Sequence, residues 1–458
     1  MTTHVFVGPT VPADEVRRAA PTAVVHGPVR HGDLLALSTG PRDTVLIVDG
    51  VFHQSAPVRH KEILDVLARG TRVVGASSMG ALRAAELWPY GMEGVGLVFG
   101  MYARGDLEAD DEVAVSHLPS GDHRQFTVPL VNLRWTVANA VAEEVLSAEA
   151  GDALLDRARA LHYTERTWPA LVHATREADP SSTDAAVRLR EFAQRHPELS
   201  DLKRRDALVA LSHCAHPRRP AVSPSTPAWL SPRTMYLARW CGLFRPATPG
   251  RHPAGVSELD VLRFQQLYAP DFPARYRRYA LARIAGEHRA PDPDDRDPAP
   301  AAIAAAAERG ITAELLPQEA WEYWLTPEER RGSSPEGRLL TLLVRSFRAA
   351  PGAAPFHDAP DALRGTDDAW SASADAVAAA GRLNEQMART GTHRTPGHLP
   401  HSVVRRHLAE AWQGSGSGHL EATARDRGFL ALTEAEEAAR HFVLLHRARP
   451  AAYRFTAL

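Results

Sequence analysis

The stretch Arg72–Glu86, RVVGASSMGALRAAE, passes from a β-rich run to a helix-forming run across Ala76-Ser77-Ser78-Met79-Gly80. A small residue two before Ser78 and a glycine two after it permit a tight strand-to-helix elbow, which lifts the serine side chain to the edge of a sheet. In that geometry Ser78 is a candidate nucleophile for acyl transfer, and the Met79 backbone N–H at the helix start is the candidate oxyanion donor. Ala76 stands where a G-x-S-x-G elbow has its first glycine, a sterically mild departure. The same turn also suits a helix cap or an anion site. No Gly-Lys-Ser/Thr follows, so the stretch lacks the Walker A pattern.

A serine nucleophile needs a base, and the chain has 22 histidines. His53 follows a predicted strand beside the elbow strand, and His60 opens the next helix within His60-Lys61-Glu62; either is a candidate. Asp49, at the end of an apolar run, is a candidate to orient one of them, or simply a turn-former before Gly50. Arg83 and Glu86 lie one and two turns below Ser78. Arg83 suits a carboxylate or thiocarboxylate, although a solvated i, i+3 pair has the same spacing. The cluster Asp110-Asp111-Glu112 reads as a solvated loop rather than a metal site. His213, Cys214 and His216 match no zinc spacing. We therefore expect no metal and no cofactor.

The elements that must position these residues form a rhythm of short β-rich runs and helical spacings, the pattern of βαβ units and a parallel sheet. Strands are predicted at His4–Val7, Ala23–His26, Thr44–Val48 and Arg72–Ala76. Helices are predicted at Ala13–Ala20, His31–Leu37, Lys61–Ala68 and Met79–Trp88. The residues after each strand should share one rim, where open parallel sheets bind ligands. From about 95 to 125 the chain reads as irregular, with Val113–Val115 either a fifth strand or a lid. Helical spacing at Val128–Leu146, Asp152–Leu161, Leu189–Phe192 and Asp206–Leu211 predicts a helical cap. The fold class expected is thus α/β, a parallel sheet with flanking helices and a helical cap, followed by a mostly helical C-terminal region. The expected boundaries are 1–216 for the core, 217–232 for a proline-rich linker and 233–458 for the helical region.

At 458 residues with 44% hydrophobic and 24% charged, the composition is globular and excludes a disordered or disulfide-scaffold chain. Basic and acidic residues nearly cancel, 53 against 55, leaving no global field to gather nucleic acid or an anionic membrane. Two cysteines in so long a chain argue for a reducing, cytoplasmic setting, and no apolar run is long enough to span a bilayer. Lys61 and Lys203 are the only lysines.

The segments FVGPT, IVDGVFHQ, VRHKEIL, GASSMGALRAAELWPYGMEGVG and DDEVAV followed by His117 resemble the TfuA-like family. The likeness covers roughly residues 4–146, extending toward 216 through LHYTERTW and LKRRDAL. It carries His53, His60, Lys61, Glu62, Ser78, Arg83, Glu86, Asp111, Glu112 and His117 over as motif positions without saying which react; Ser77 joins them as the neighbour of Ser78.

TfuA proteins are encoded beside YcaO enzymes and assist them in making thioamides in ribosomally synthesised peptides. The resemblance implies a sulfur-delivery role with a YcaO enzyme, a thiocarboxylated ThiS-like carrier protein and the precursor peptide as partners. On that reading Ser78 attacks the carrier's thioacid and releases hydrosulfide, with His60 or His53 assisting and Lys61, Glu62, Arg83, Glu86, Asp111, Glu112 and His117 binding substrate. The rival is a non-catalytic module that docks or allosterically activates the YcaO enzyme. A phosphate- or nucleotide-binding protein is a further rival.

Overall fold

Thr44–Ile47 and Arg72–Ala76 are buried at every position, as strands covered on both faces must be. They lie at the centre of a parallel sheet in the computed structural model, which describes residues 2–51, 55–118, 123–215, 234–249, 255–286, 297–349, 359–391, 395–413 and 416–448. The strands are β1 (Thr3–Phe6), β2 (Val24–His26), β3 (Thr44–Ile47), β4 (Arg72–Ala76) and β5 (Glu93–Val95). Their order is β2-β1-β3-β4-β5, and each neighbouring pair is parallel.

Side chains alternate between the faces of a strand, and the two sets meet different helices. Phe6, Val45, Ile47 and Val73 pack with Leu34, Ile63, Met79 and Ala84 from α2 (Asp33–Ala36), α3 (His60–Ala68) and α4 (Met79–Leu87). Val5, Leu46, Val74 and Ala76 pack instead with Val16 of α1 (Ala13–Ala19) and with Ala207, Ala210 and Leu211. The expected parallel α/β sheet with flanking helices is what forms.

Two readings of the middle stretch need correction. The fifth strand is Glu93–Val95, paired with Val74–Ala76, and α5 (Leu97–Arg104) follows it, so the first part of the stretch read as irregular is helical. Val113–Val115 is turn and loop, not a strand of the sheet; nearby His117 bridges Gln125 instead. Beyond it come α6 (Leu130–Ala142), α7 (Ala148–Ala160), α8 (Trp168–Ala178), α9 (Thr183–Arg195) and α10 (Leu202–Ala215). Val137, Leu154, Leu189 and Phe192 share one apolar cluster in this helical cap.

The chain divides into two compact units, Met1–Pro232 and Arg233–Leu458. The expected linker 217–232 lies outside the described residues. The second unit, over its described residues, is built of helices and turns around one cluster that includes Phe264, Phe272, Tyr276, Val377 and Phe442. In it the Arg345 guanidinium, 2% exposed, is held bidentately by Glu329 and by Asp426.

Candidate functional site

The strand order reverses between β1 and β3, and in open parallel sheets that crevice is where ligands bind. Asp49 closes the crevice from the end of β3. Its Oδ2 accepts the backbone amides of Gly8 (2.8 Å) and Thr10 (3.0 Å), and its Oδ1 accepts the Thr10 hydroxyl (2.6 Å). With both oxygens engaged, the carboxylate fixes the loop after β1.

The elbow between β4 and α4 divides its two serines. Ser77 has φ of 70°, a left-handed conformation that non-glycine residues rarely adopt. The Ser78 amide donates to the Ala76 carbonyl at 2.8 Å, closing a three-residue turn, and the Ser77 hydroxyl donates to the Lys203 carbonyl at 2.8 Å. Ser77 is fully buried, whereas Ser78 reaches the cavity described below, and its hydroxyl makes no hydrogen bond among the described residues. Gly80 is required by contact: a Cβ there would fall 1.8 Å from the Ile47 carbonyl oxygen. The Gly80 amide donates to the Val48 carbonyl at 3.2 Å, so α4 begins pressed against β3. Met79 is buried beneath Gly50 and does not line the cavity.

The opposite wall is the segment after the acidic cluster, and three basic side chains hold it. The Arg134 guanidinium donates to both oxygens of Glu112 (2.9 and 2.6 Å). Arg166, 1% exposed, donates to the Asp111 carboxylate at 2.9 Å and to the carbonyls of Asp111, Ala158 and Leu161. The buried Lys203 amine donates to the Val113 carbonyl at 2.8 Å. Burial drives the Lys203 pKa below its ordinary value, against the pull of Asp49 and Asp201. Asp111 and Glu112 are thus occupied in positioning the wall.

Between these walls lies a cavity of about 140 Å³ lined by Pro9, Asp49–Val51, Ser78, Val113–His117 and Tyr163–Thr164. His117 Nδ1 lies 2.8 Å from the Leu118 carbonyl. A carbonyl only accepts, so Nδ1 carries a proton, and in the neutral ring the lone pair is on Nε2.

Other expected site residues gather elsewhere. His60 Nε2 lies 2.8 Å from Glu86 Oε2, which also accepts from Arg83 at 2.6 Å. Burial pushes the Glu86 carboxyl up, but the bonds from His60 and Arg83 outweigh it and hold its pKa low. Glu86 is eight residues beyond Ser78, an axial rise of about 12 Å, so this trio stands apart from the cavity. Glu62 is fully buried and accepts from His31 (2.6 Å), Gly32 (2.8 Å) and Arg59 (3.0 Å), and burial raises its pKa. Lys61 is half-buried in the first turn of α3. His53 lies outside the described residues. Cys214 is buried in the sheet's core, where burial pushes its thiol up to about 11; Cys241 is buried as well. Among the described residues no His, Cys, Asp and Glu side chains gather as a metal cage, and no helix is long and apolar enough to cross a membrane.

Sequence reasoning missed Lys203 and Arg166 as wall supports and Tyr163 as a lining residue. Two signals were available: Lys203 is one of two lysines, and Tyr163 and Arg166 sit within LHYTERTW.

The family model of the TfuA-like protein matches residues 49–167. Over this segment the chain resembles the TfuA-like family. The TfuA-like segment runs from Asp49 to just beyond Arg166 and holds every residue lining the cavity except Pro9. The TfuA-like family is associated with YcaO proteins and points to a role in YcaO-associated thioamidation. No curated protein matches the chain closely enough to count as a relative.

Proposed function

We propose that this chain delivers sulfur for YcaO-dependent thioamide formation by freeing sulfide from a thiocarboxylated, ThiS-like carrier protein. The observation that carries the reading is the meeting of Ser78 and His117 in one small cavity at the carboxyl rim of the sheet. A cavity of about 140 Å³ admits the slender end of a chain, not a folded protein, which suits a C-terminal thioacid.

His117 Nε2 takes the proton as Ser78 Oγ bonds to the thioacid carbon. The imidazolium passes that proton to the sulfur as the C–S bond breaks, the sulfur leaves as hydrosulfide, and an ester to Ser78 remains. Water, deprotonated by the same imidazole, cleaves that ester, returning the carrier's carboxylate and the free serine. The Gly80 amide is spent on Val48 and Met79 does not line the cavity, so the turn supplies no oxyanion donor there.

The test is sulfide release from a thiocarboxylated ThiS-like carrier, with and without the YcaO enzyme. Ser78→Ala should abolish release and His117→Gln should slow it by roughly 10²-fold or more, the ordinary worth of a general base. His60→Ala should leave it near wild type. If the wild type releases no sulfide even with the YcaO enzyme present, the chain is a docking or activating module instead.

A further inference from the structure

In the second unit, a solvent-open cavity of about 410 Å³ is walled by Trp321 and by the arginines 330, 331 and 338. Its volume falls in the range of small-ligand pockets, about 300 to 1,000 Å³. The charge around it is unbalanced. Arg330 meets Glu322 at 3.4 Å and Arg331 meets Glu328 at 3.6 Å, and both carboxylates are more than half exposed. Single-point contacts of that kind in water contribute little. Among the described residues Arg338 has no carboxylate partner.

The Arg338 guanidinium is also directional. Its Nη1 donates to the Arg330 carbonyl at 3.3 Å, while its Nε is buried and makes no hydrogen bond; the Arg330 Nε is in the same state. The Nε and Nη2 edge of an arginine takes a carboxylate or a phosphate through two parallel bonds. A buried donor left without an acceptor is costly, and an oxyanion that reaches the Arg338 fork from the cavity supplies one. The Arg338 Cζ lies 5.9 Å from the centre of the Trp321 ring, which brings a flat apolar wall beside the cations.

We infer that this cavity binds a small organic oxyanion, a carboxylate or phosphate carried on a flat apolar body, with Arg338 as the bidentate anchor and Trp321 as the wall. The site does not depend on the proposed sulfur chemistry of the first unit.

Isothermal titration of the full chain at low salt with AMP, N-acetylphenylalanine and inorganic phosphate tests it. At least one flat-bodied probe should bind roughly tenfold more tightly than inorganic phosphate, and more weakly as salt rises. Arg338→Met, which keeps the aliphatic stem, should weaken that binding roughly tenfold or more, and Arg338→Lys should not restore it because an ammonium lacks the fork. Binding of AMP alone identifies an organic phosphate, of N-acetylphenylalanine alone a carboxylate; either supports the inference, as does binding of both. It is overturned if no probe gives saturable heat, if inorganic phosphate binds as well as the others, or if both Arg338 variants bind like wild type. Should Arg338→Met fail to fold by circular dichroism, Arg338→Lys decides.

Discussion

The Ser77 hydroxyl donates to the Lys203 carbonyl at 2.8 Å across 126 residues of chain, fastening the β4–α4 elbow to the start of α10. The same helix sends the Lys203 amine to the Val113 carbonyl on the cavity's other wall. One short run of α10 thus ties the elbow to the opposite wall of the cavity. Ser77→Val combines loss of this bond with a β-branched residue at φ of 70° and should cost about 2 to 4 kcal/mol, by urea unfolding of the full chain. Ser77→Gly, which relieves the backbone, should cost less than Ser77→Val and still reduce activity.

Gly80→Ala should be among the most damaging small substitutions in the first unit. The added methyl carbon would fall 1.8 Å from the Ile47 carbonyl oxygen, a backbone atom that cannot swing aside. Helix α4 must then lift from β3, carrying Ser78 with it. We expect a loss of about 3 kcal/mol or more and little sulfide release from the folded fraction.

Arg166 and Asp111 form a pair whose members should behave unequally. Arg166 is 1% exposed and donates to three carbonyls as well as to the carboxylate, whereas the Asp111 side chain is 42% exposed. Arg166→Met should cost about 3 to 5 kcal/mol, because it strands several buried acceptors at once. Asp111→Asn should cost under about 1 kcal/mol. Equal losses in thermal unfolding would show that the ion pair, not the carbonyl bonds, is what matters.

In the second unit His407 governs an acid response. Burial lowers its pKa to about 4, and its Nε2 lies 2.7 Å from the Tyr268 hydroxyl. The unfolded chain, with an ordinary histidine near 6.5, therefore binds more protons than the folded one between those two values. Stability should rise with pH across that window and fall on acidification from about 6.5 toward 4, by up to roughly 3 kcal/mol. His407→Phe should flatten the slope when unfolding of the second unit is followed against pH.

The strands β3 and β4 were legible because an apolar run buried on both faces leaves little else for those residues to do. Strand β5 was not: Glu93-Gly94-Val95 is three residues long with a glycine at its centre, and it becomes a strand only because β4 offers it a free edge. The elbow and Asp49 could be read from local chemistry, since both act within a few residues of a strand end. His60 was read as a candidate base because it opens a helix, and Glu62 as a motif position of the family resemblance. Their partners, Glu86 and His31, come from other elements, and no local pattern announces such pairings. The cavity wall at Val113–His117 depends on Arg134, Arg166 and Lys203, which lie 22, 55 and 90 residues from the acceptors they hold.

Both cysteines are interior, and the Cys214 thiol is driven up to about 11, so neither presents a thiolate to an incoming sulfur atom. On the proposed reading the chain has no persulfide station. Sulfur that leaves the carrier at the rim passes through solution, or straight into a neighbouring enzyme, as an untethered anion. A thiol-specific label should leave the native chain's turnover intact, while a soluble hydrosulfide trap should intercept the product unless the YcaO enzyme is seated to receive it.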